Sequence, residues 1–179
     1  MQAVVRSYGG KHPRIGKGVF LAETCAVIGD VEIGEESSVW YSTVLRGDVM
    51  SIRIGARTSM QDGTVVHVTS EKLGTVIGDD CTVGHGVILH SCTVEDLCLI
   101  GMGATVLDGA RVGRGSLVGA GALVTPGTEI PPGSLVLGAP ARVVRPVNPK
   151  EREQIEYAAG VYVELARRYL AGDGGSSVR

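Results

Sequence analysis

The chain has 179 residues, of which 44% are hydrophobic and 20% are charged, and its formal net charge is −2. These values suit one folded domain and argue against a disordered chain. The chain has no block of Lys and Arg and no apolar run long enough for a membrane span, so we expect neither a nucleic-acid partner nor a membrane. The first residues lack a signal-peptide pattern, and the four cysteines show no CxxC spacing, so we expect a cytoplasmic protein.

Aliphatic residues recur every six positions through most of the chain. An α-helix has no period of six, so a long amphipathic helix is excluded. The position four residues after each of these anchors is usually small or β-branched, as at Cys25, Cys81 and Ala104. Two inward positions in every six fit a short strand followed by a turn. The anchors are Ile15, Leu21, Val27, Ile33, Val39, Leu45, Ile54, Met60, Val66, Ile77, Val83, Leu89, Val94, Ile100, Val106, Val112, Val118, Val124, Ile130 and Val136.

Three such units close one triangular coil, and successive coils stack as parallel strands about 4.8 Å apart. The pattern predicts an all-β fold, a single-stranded parallel β-helix of hexapeptide repeats with about seven coils. We expect an N-terminal lead-in strand at residues 1–14 and the β-helix at 15–145. A C-terminal helix packed alongside is expected at 146–171, where apolar residues recur at spacings of three and four, and a disordered tail at 172–179.

Counting the anchors in threes places polar side chains in columns on separate faces. Arg46, His67 and His90 each follow an anchor of one face and form one column, one coil apart. Asp62 and His85 stack in the same way on another face. A further outward position holds Trp40, which we expect to pack at a subunit interface.

The stacked histidines suggest a metal site. His67 and His90 would lie about 5 Å apart, close enough for both rings to reach one metal at a Zn–N distance of about 2.1 Å. His85 lies on a different face of the same coil and cannot join them within one chain. A three-fold assembly brings unlike faces of neighbouring copies together, so another copy could supply this imidazole. Three histidines and a water form a typical catalytic zinc site.

Several segments together resemble the gamma-class carbonic anhydrase family, in its short-loop form. They are LRGD (Leu45–Asp48), MQDGTVVH (Met60–His67), GHGVILH (Gly84–His90) and the tail GAPARVVRPV with the helix after it. The resemblance covers nearly the whole chain. It implies a left-handed β-helix and a homotrimer that binds zinc, or alternatively iron or cobalt, at its subunit interfaces.

By the matching motifs, two metal ligands (His67 and His90) would come from one subunit and the third (His85) from the next. The implied activity is the reversible hydration of CO2 to bicarbonate by metal-bound hydroxide. The resemblance also implies roles for five polar residues. These are an inter-subunit network of Arg46, Asp48, Gln61 and Asp62, in which Gln61 would hydrogen-bond the hydroxide, and Tyr162 near the metal.

Two positions depart from the best-characterised members of that family. Those members carry an acidic loop with a proton-shuttling glutamate, whereas the short loop after His67 offers only Glu71. Another glutamate of those members is replaced by Val49. We therefore expect the metal site to be retained and the hydration of CO2 to be slow.

Other functions are compatible with the same repeat. Acyltransferases that use coenzyme A share the fold, and many end in a GxPA segment like Gly138–Ala141. A non-catalytic metal-binding or assembly protein is a second alternative, because the fold alone does not decide function. Hydrolysis of a small ester or thioester at the same metal is a third.

Overall fold

The computed structural model describes residues 2–69 and 73–172, which form a left-handed parallel β-helix of about seven coils followed by one helix. The fold predicted from the six-residue period is confirmed. A disordered tail was expected at 172–179, and all of that segment after Gly172 lies outside the described residues. The strands are β1 (Val4–Arg6), β2 (Arg14–Ile15), β3 (Phe20–Leu21), β4 (Ala26–Ile33), β5 (Ser38–Val39), β6 (Val44–Ile54), β7 (Ser59–Met60), β8 (Val65–His67), β9 (Thr75–Ile77), β10 (Thr82–Val83), β11 (Ile88–His90), β12 (Thr93–Val94), β13 (Leu99–Ile100), β14 (Thr105–Val106), β15 (Arg111–Val112), β16 (Leu117–Val118), β17 (Leu123–Val124), β18 (Glu129–Ile130), β19 (Ser134–Leu137) and β20 (Arg142–Pro146), and the helix is α1 (Pro149–Leu170).

The strands stack into three faces. The histidine face contains β1, the first parts of β4 and β6, and then β8, β11, β14 and β17. The charged face contains β2, the last parts of β4 and β6, and then β9, β12, β15 and β18. The helix face contains β3, β5, β7, β10, β13, β16 and β19, and is closed at one end by the antiparallel strand β20.

The anchor residues fill the interior. Every anchor from Val27 to Val136 is at most 3% exposed. The small residues four positions later, including Cys25 and Cys81, are buried between them, with their thiols unpaired. Ile15 is 37% exposed because it lies in the first coil, at the open end of the stack. The anchors of the last coil, such as Ile130 and Val136, are buried all the same, so exposure of an anchor is confined to the first coil.

The first break in the six-residue period is a corner inside a continuous strand. The extra residues after Leu45 belong to β6, which pairs with β8 at its start and with β9 at its end. The neighbouring strand β4 turns at Gly29, whose φ of +79° favours glycine, and a Cβ there would lie 2.3 Å from the Gly47 carbonyl oxygen. This corner carries Asp48 on the rim of the histidine face.

Helix α1 begins with a capping box. The Asn148 side chain accepts a hydrogen bond from the Glu151 backbone N–H, and the Glu151 carboxylate accepts one from the Asn148 backbone N–H. Arg145 and this backbone N–H lower the pKa of Glu151 to about 2. The helix thus starts at Pro149, inside the segment predicted as 146–171.

The inner side of α1 packs on the helix face, against β3, β5, β7 and β10. Ile155, Ala159 and Ala166 are buried there. Leu170, one of the apolar residues that recur at spacings of three and four, is exposed in the last turn. Among the residues described, we find no helix with the length and apolarity needed to cross a membrane.

The prediction that Trp40 packs at a subunit interface is wrong for this structure. Its side chain is 4% exposed, enclosed under α1 of the same chain. The ring centroids of Phe20, Tyr169 and Tyr162 lie 5.0, 5.2 and 5.8 Å from that of Trp40. Aromatic residues of the solenoid and of the helix therefore join the two elements.

Truncation of an anchor tests which positions face inward. Ile100 is fully buried, so we expect Ile100→Ala to lower the free energy of unfolding by about 2–5 kcal/mol, because it removes apolar contacts and leaves a cavity. Val76, on the charged face, is 45% exposed, and Val76→Ala should change it by about 0.5 kcal/mol or less. Denaturant unfolding at one fixed protein concentration measures both. Equal losses would contradict the inward assignment.

Candidate metal centre

The two histidines of the histidine face lie on adjacent coils. His67 ends β8 and His90 ends β11, and the two residues are direct partners in the parallel ladder. Their ring nitrogens, Nδ1 of His67 and Nε2 of His90, are 3.2 Å apart. Two imidazole nitrogens that share one tetrahedral Zn²⁺ at 2.0–2.1 Å lie roughly 3.3 Å apart. The structure therefore holds this pair at a separation that suits a shared metal ion.

Each of these histidines has a carboxylate at its other ring nitrogen. Asp48 Oδ1 lies 3.1 Å from His67 Nε2, and Asp108 Oδ1 lies 2.6 Å from His90 Nδ1. The second oxygen of Asp108 accepts a hydrogen bond from the Thr69 hydroxyl. Carboxylates in this position commonly orient metal-binding histidines.

Asp108 was missed in the sequence analysis. It lies two residues after the anchor Val106, which pairs with Leu89 in the coil that carries His90. Extending the column by one coil and considering the second residue after the anchor would have identified it. The residue that contacts His90 is thus the second one after the anchor, in the turn, and not the first one after it.

Arg46 lies on the rim of the same face, beside Asp48. Its Nη1 is 2.5 Å from Asp48 Oδ2, so within one chain the guanidinium pairs with Asp48. Partial burial works against ionisation of Asp48, but the hydrogen bonds from Arg46 and His67 outweigh it and lower the pKa of this carboxyl. Asp48 is therefore an ionised acceptor for both neighbours at neutral pH.

A second polar cluster lies where the helix face turns. His85 Nδ1 is 2.9 Å from Asp62 Oδ2, in agreement with the stacking of Met60 under Val83 in the preceding strands. Gln61 is only 5% exposed. Burial raises the pKa of Tyr162 on α1, the charge of Asp62 adds to this, and the nearby Gln61 side chain opposes it. His85 and Asp62 thus form a pair, and Gln61 and Tyr162 lie close to it.

The two clusters belong to different faces of the prism. Over residues 2–69 and 73–172, no group of three His, Cys, Asp or Glu side chains is arranged to hold a metal ion. Within one chain the histidine face offers two converging imidazoles, and the predicted third ligand, His85, is turned to Asp62 on another face. The remaining histidine, His12, is exposed and hydrogen-bonds Ser7 through Nδ1.

The loop after His67 bears on the expected proton path. Glu71, the acidic residue that the sequence offers in this loop, lies outside the described residues. Val49, next to Asp48, is exposed and carries no ionisable group. The role of Glu71 in proton transfer therefore stays a prediction, and Val49 has no group that could take part in it.

Comparison with known proteins places this geometry in a class. The model of a hexapeptide-repeat family, "Bacterial transferase hexapeptide (six repeats)", matches residues 74–108. The chain is 48% identical to a carbonic anhydrase of Geobacillus kaustophilus over 168 residues, which cover 94% of this chain and 92% of that protein. It is 46% identical to the mitochondrial gamma carbonic anhydrase 2 of Arabidopsis thaliana over 162 residues, 88% of this chain. These residues span about six-tenths (58%) of the plant protein's own length.

Among solved structures, a Bacillus cereus protein provisionally described as an acetyltransferase is 43% identical. It superposes with a TM-score of 0.92 over 94% of this chain and 98% of its own. The repeat and the site thus define a hexapeptide-repeat protein with a candidate metal centre. The chain belongs to the gamma-class carbonic anhydrase family.

Proposed function

We propose that this chain is a metal-dependent carbonic anhydrase that catalyses the reversible hydration of CO2 to bicarbonate. The supporting observation is the arrangement of His67 and His90. If the outer ring nitrogens donate their N–H groups to Asp48 and Asp108, then the inner nitrogens present two lone pairs to each other across 3.2 Å. Such an arrangement is repulsive unless a cation lies between the rings.

The proposed ligands are His67 and His90 of one copy and His85 of a second copy. Zinc is the metal we expect, because a set of three histidines with one open position is typical of catalytic zinc sites, and iron or cobalt are the alternatives. We assign the third ligand to another copy, because His85 is paired with Asp62 on a different face and the described residues of one chain bring no three such ligands together. A homotrimer with three equivalent interfaces meets this requirement.

A bound divalent metal ion of this kind lowers the pKa of a coordinated water from 15.7 to about 7 and so supplies a nucleophile at neutral pH. The residues of the chain prepare the site around it. Asp48 and Asp108 hold the rings of His67 and His90, and Arg46 neutralises the charge of Asp48.

On the other cluster, we assign the orientation of the substrate and its water to the Gln61 side-chain amide. Tyr162 lies beside this buried amide, and Asp62 holds His85. Hydration of CO2 releases one proton for each bicarbonate. Asp62 is a partly exposed carboxylate next to this group and can carry that proton to solvent. With Val49 at the other rim, we expect this transfer to limit the rate.

Stopped-flow measurement of CO2 hydration on anaerobically purified protein, with elemental analysis of the same sample, tests the proposal. We expect a stoichiometric transition metal and a hydration rate that disappears when a chelator removes it and returns when zinc, iron or cobalt is added. Protein that carries the metal and hydrates CO2 no faster than buffer would contradict the enzymatic function. It would favour a non-catalytic metal-binding role or hydrolysis of a small ester.

The second candidate is an acyltransferase that uses coenzyme A, and two observations favour it. The similar Bacillus cereus structure is provisionally described as an acetyltransferase, and the present chain carries the GAPA turn at Gly138–Ala141. A coenzyme A binding assay on the purified protein separates the two functions. Tight binding of coenzyme A by protein without metal would favour the transferase.

We also propose a cytoplasmic location. All four cysteines are buried free thiols, as expected of a protein in a reducing compartment.

A further inference from the structure

We propose that Asp108 is a positioning residue that fixes the ring of His90 for metal binding, with Thr69 holding the carboxylate in place. The inference rests on the proposed metal function. Asp108 is not one of the residues that the family motifs assigned. It comes from a different coil from both histidines, in the turn between β14 and β15.

Both oxygens of the Asp108 carboxylate have their own partner. Oδ1 lies 2.6 Å from His90 Nδ1, and Oδ2 accepts the hydrogen bond of the Thr69 hydroxyl. A carboxylate with a single partner can rotate about its last bond, whereas two partners on opposite oxygens prevent this. The orientation of His90 is thereby coupled to Thr69, which follows the strand of the other histidine.

The backbone around Asp108 is equally constrained. Its carbonyl accepts the Gly127 N–H from the following coil at 2.9 Å, and the Gly109 N–H donates to the Ser91 carbonyl of the preceding coil at 2.8 Å. Ser91 Oγ also accepts the Thr69 N–H. The turn is thus tied to the coil on each side, and Thr69 is tied to the coil of His90.

This arrangement selects one form of the His90 ring. A carboxylate only accepts hydrogen bonds, so it favours a proton on Nδ1 and leaves the lone pair on Nε2, the nitrogen that faces His67. Removal of the carboxylate would free the ring to rotate or to exchange tautomers. Partners of this kind typically contribute about 10–100-fold to metal affinity.

The test measures Co²⁺ affinity of the assembled metal-free protein by competition with a chelator, which needs no catalytic activity. We expect Asp108→Ala to weaken Co²⁺ binding about 10–100-fold. Asp108→Asn keeps an acceptor oxygen without the charge and should lose less. Thr69→Val keeps the shape but not the hydroxyl and should also weaken binding. Thr69→Ser keeps the hydroxyl and should bind Co²⁺ as tightly as the wild type.

Glu129→Gln is the matched control, since it removes an exposed carboxylate on the charged face and should leave the affinity unchanged. Wild-type Co²⁺ affinity in Asp108→Ala, with the oligomer intact by size-exclusion chromatography, would overturn the inference. The same loss in Glu129→Gln would also overturn it, because the effect would then be one of general charge.

A second readout separates this inference from the proposed function. In metal-free protein labelled with ¹⁵N-histidine, we expect His90 to be the Nδ1–H tautomer in the wild type and a mixture of tautomers in Asp108→Ala. If the wild type bound no Co²⁺, the proposed metal function would fail, and the tautomer comparison alone would decide whether Asp108 positions the ring. An unchanged tautomer in Asp108→Ala would then refute the positioning role.

Discussion

The variant His90→Ala should bind no metal and should hydrate CO2 at the uncatalysed rate. His90 supplies one of the two nitrogens that converge to 3.2 Å, and a single imidazole on this face cannot hold an ion against solvent. Loss of the ion removes the shift of the water pKa to about 7 on which the proposed nucleophile depends. Elemental analysis and stopped-flow hydration assays on the same preparation measure both effects.

His12→Ala is the matched control, because His12 is exposed and hydrogen-bonds only Ser7 among the contacts described. It should keep both the metal and the activity of the wild type. If His90→Ala protein hydrated CO2 as fast as the wild type while carrying no metal, the metal-based mechanism would be wrong.

Mixing two inactive variants should restore activity, because each proposed site takes ligands from two copies. His90→Ala lacks a ligand of the histidine face, and His85→Ala lacks the ligand of the helix-face cluster, so each pure protein should be inactive. In trimers reassembled from an equal mixture, about one quarter of the sites would receive an intact histidine face from one copy and an intact His85 from the next. Metal content and hydration rate should recover to about that fraction.

The control is a mixture in which the two defects lie on one face. His67 and His90 come from the same copy, so a mixture of His67→Ala and His90→Ala has no copy with both ligands, and we expect no recovery. Recovery there would show that the two histidines do not act as a pair. Absence of recovery in the first mixture, with mixed trimers verified by mass spectrometry, would contradict the site shared between copies.

The sequence predicted the coil register well because one physical requirement repeats in every coil. Each aliphatic anchor must lie between its equivalents above and below, so a period of six, broken at a few positions, fixes which residues become neighbours. This arithmetic alone brought His67 beside His90 and Asp62 beside His85, although each pair is separated by 23 residues in the chain.

Positions beside the repeat were harder to predict. Asp108 lies in a turn, where the direction of a side chain depends on the local backbone and not on the period, so its contact with His90 was not foreseen. Trp40 was expected between subunits, because an outward position does not reveal that α1 of the same chain covers it. The corner at Gly29 and Gly47 brings Asp48 close enough to Arg46 and His67 to pair with both.

By itself, the sequence determined the β-helix, its number of coils, the inward residues and the vertical neighbours, because all of these follow from burying one aliphatic residue in every six. Only the tertiary structure decided which ring nitrogens face each other, which carboxylates orient them and which face the helix covers. Those features depend on side-chain directions at corners and turns, where distances of about an ångström decide whether a hydrogen bond forms.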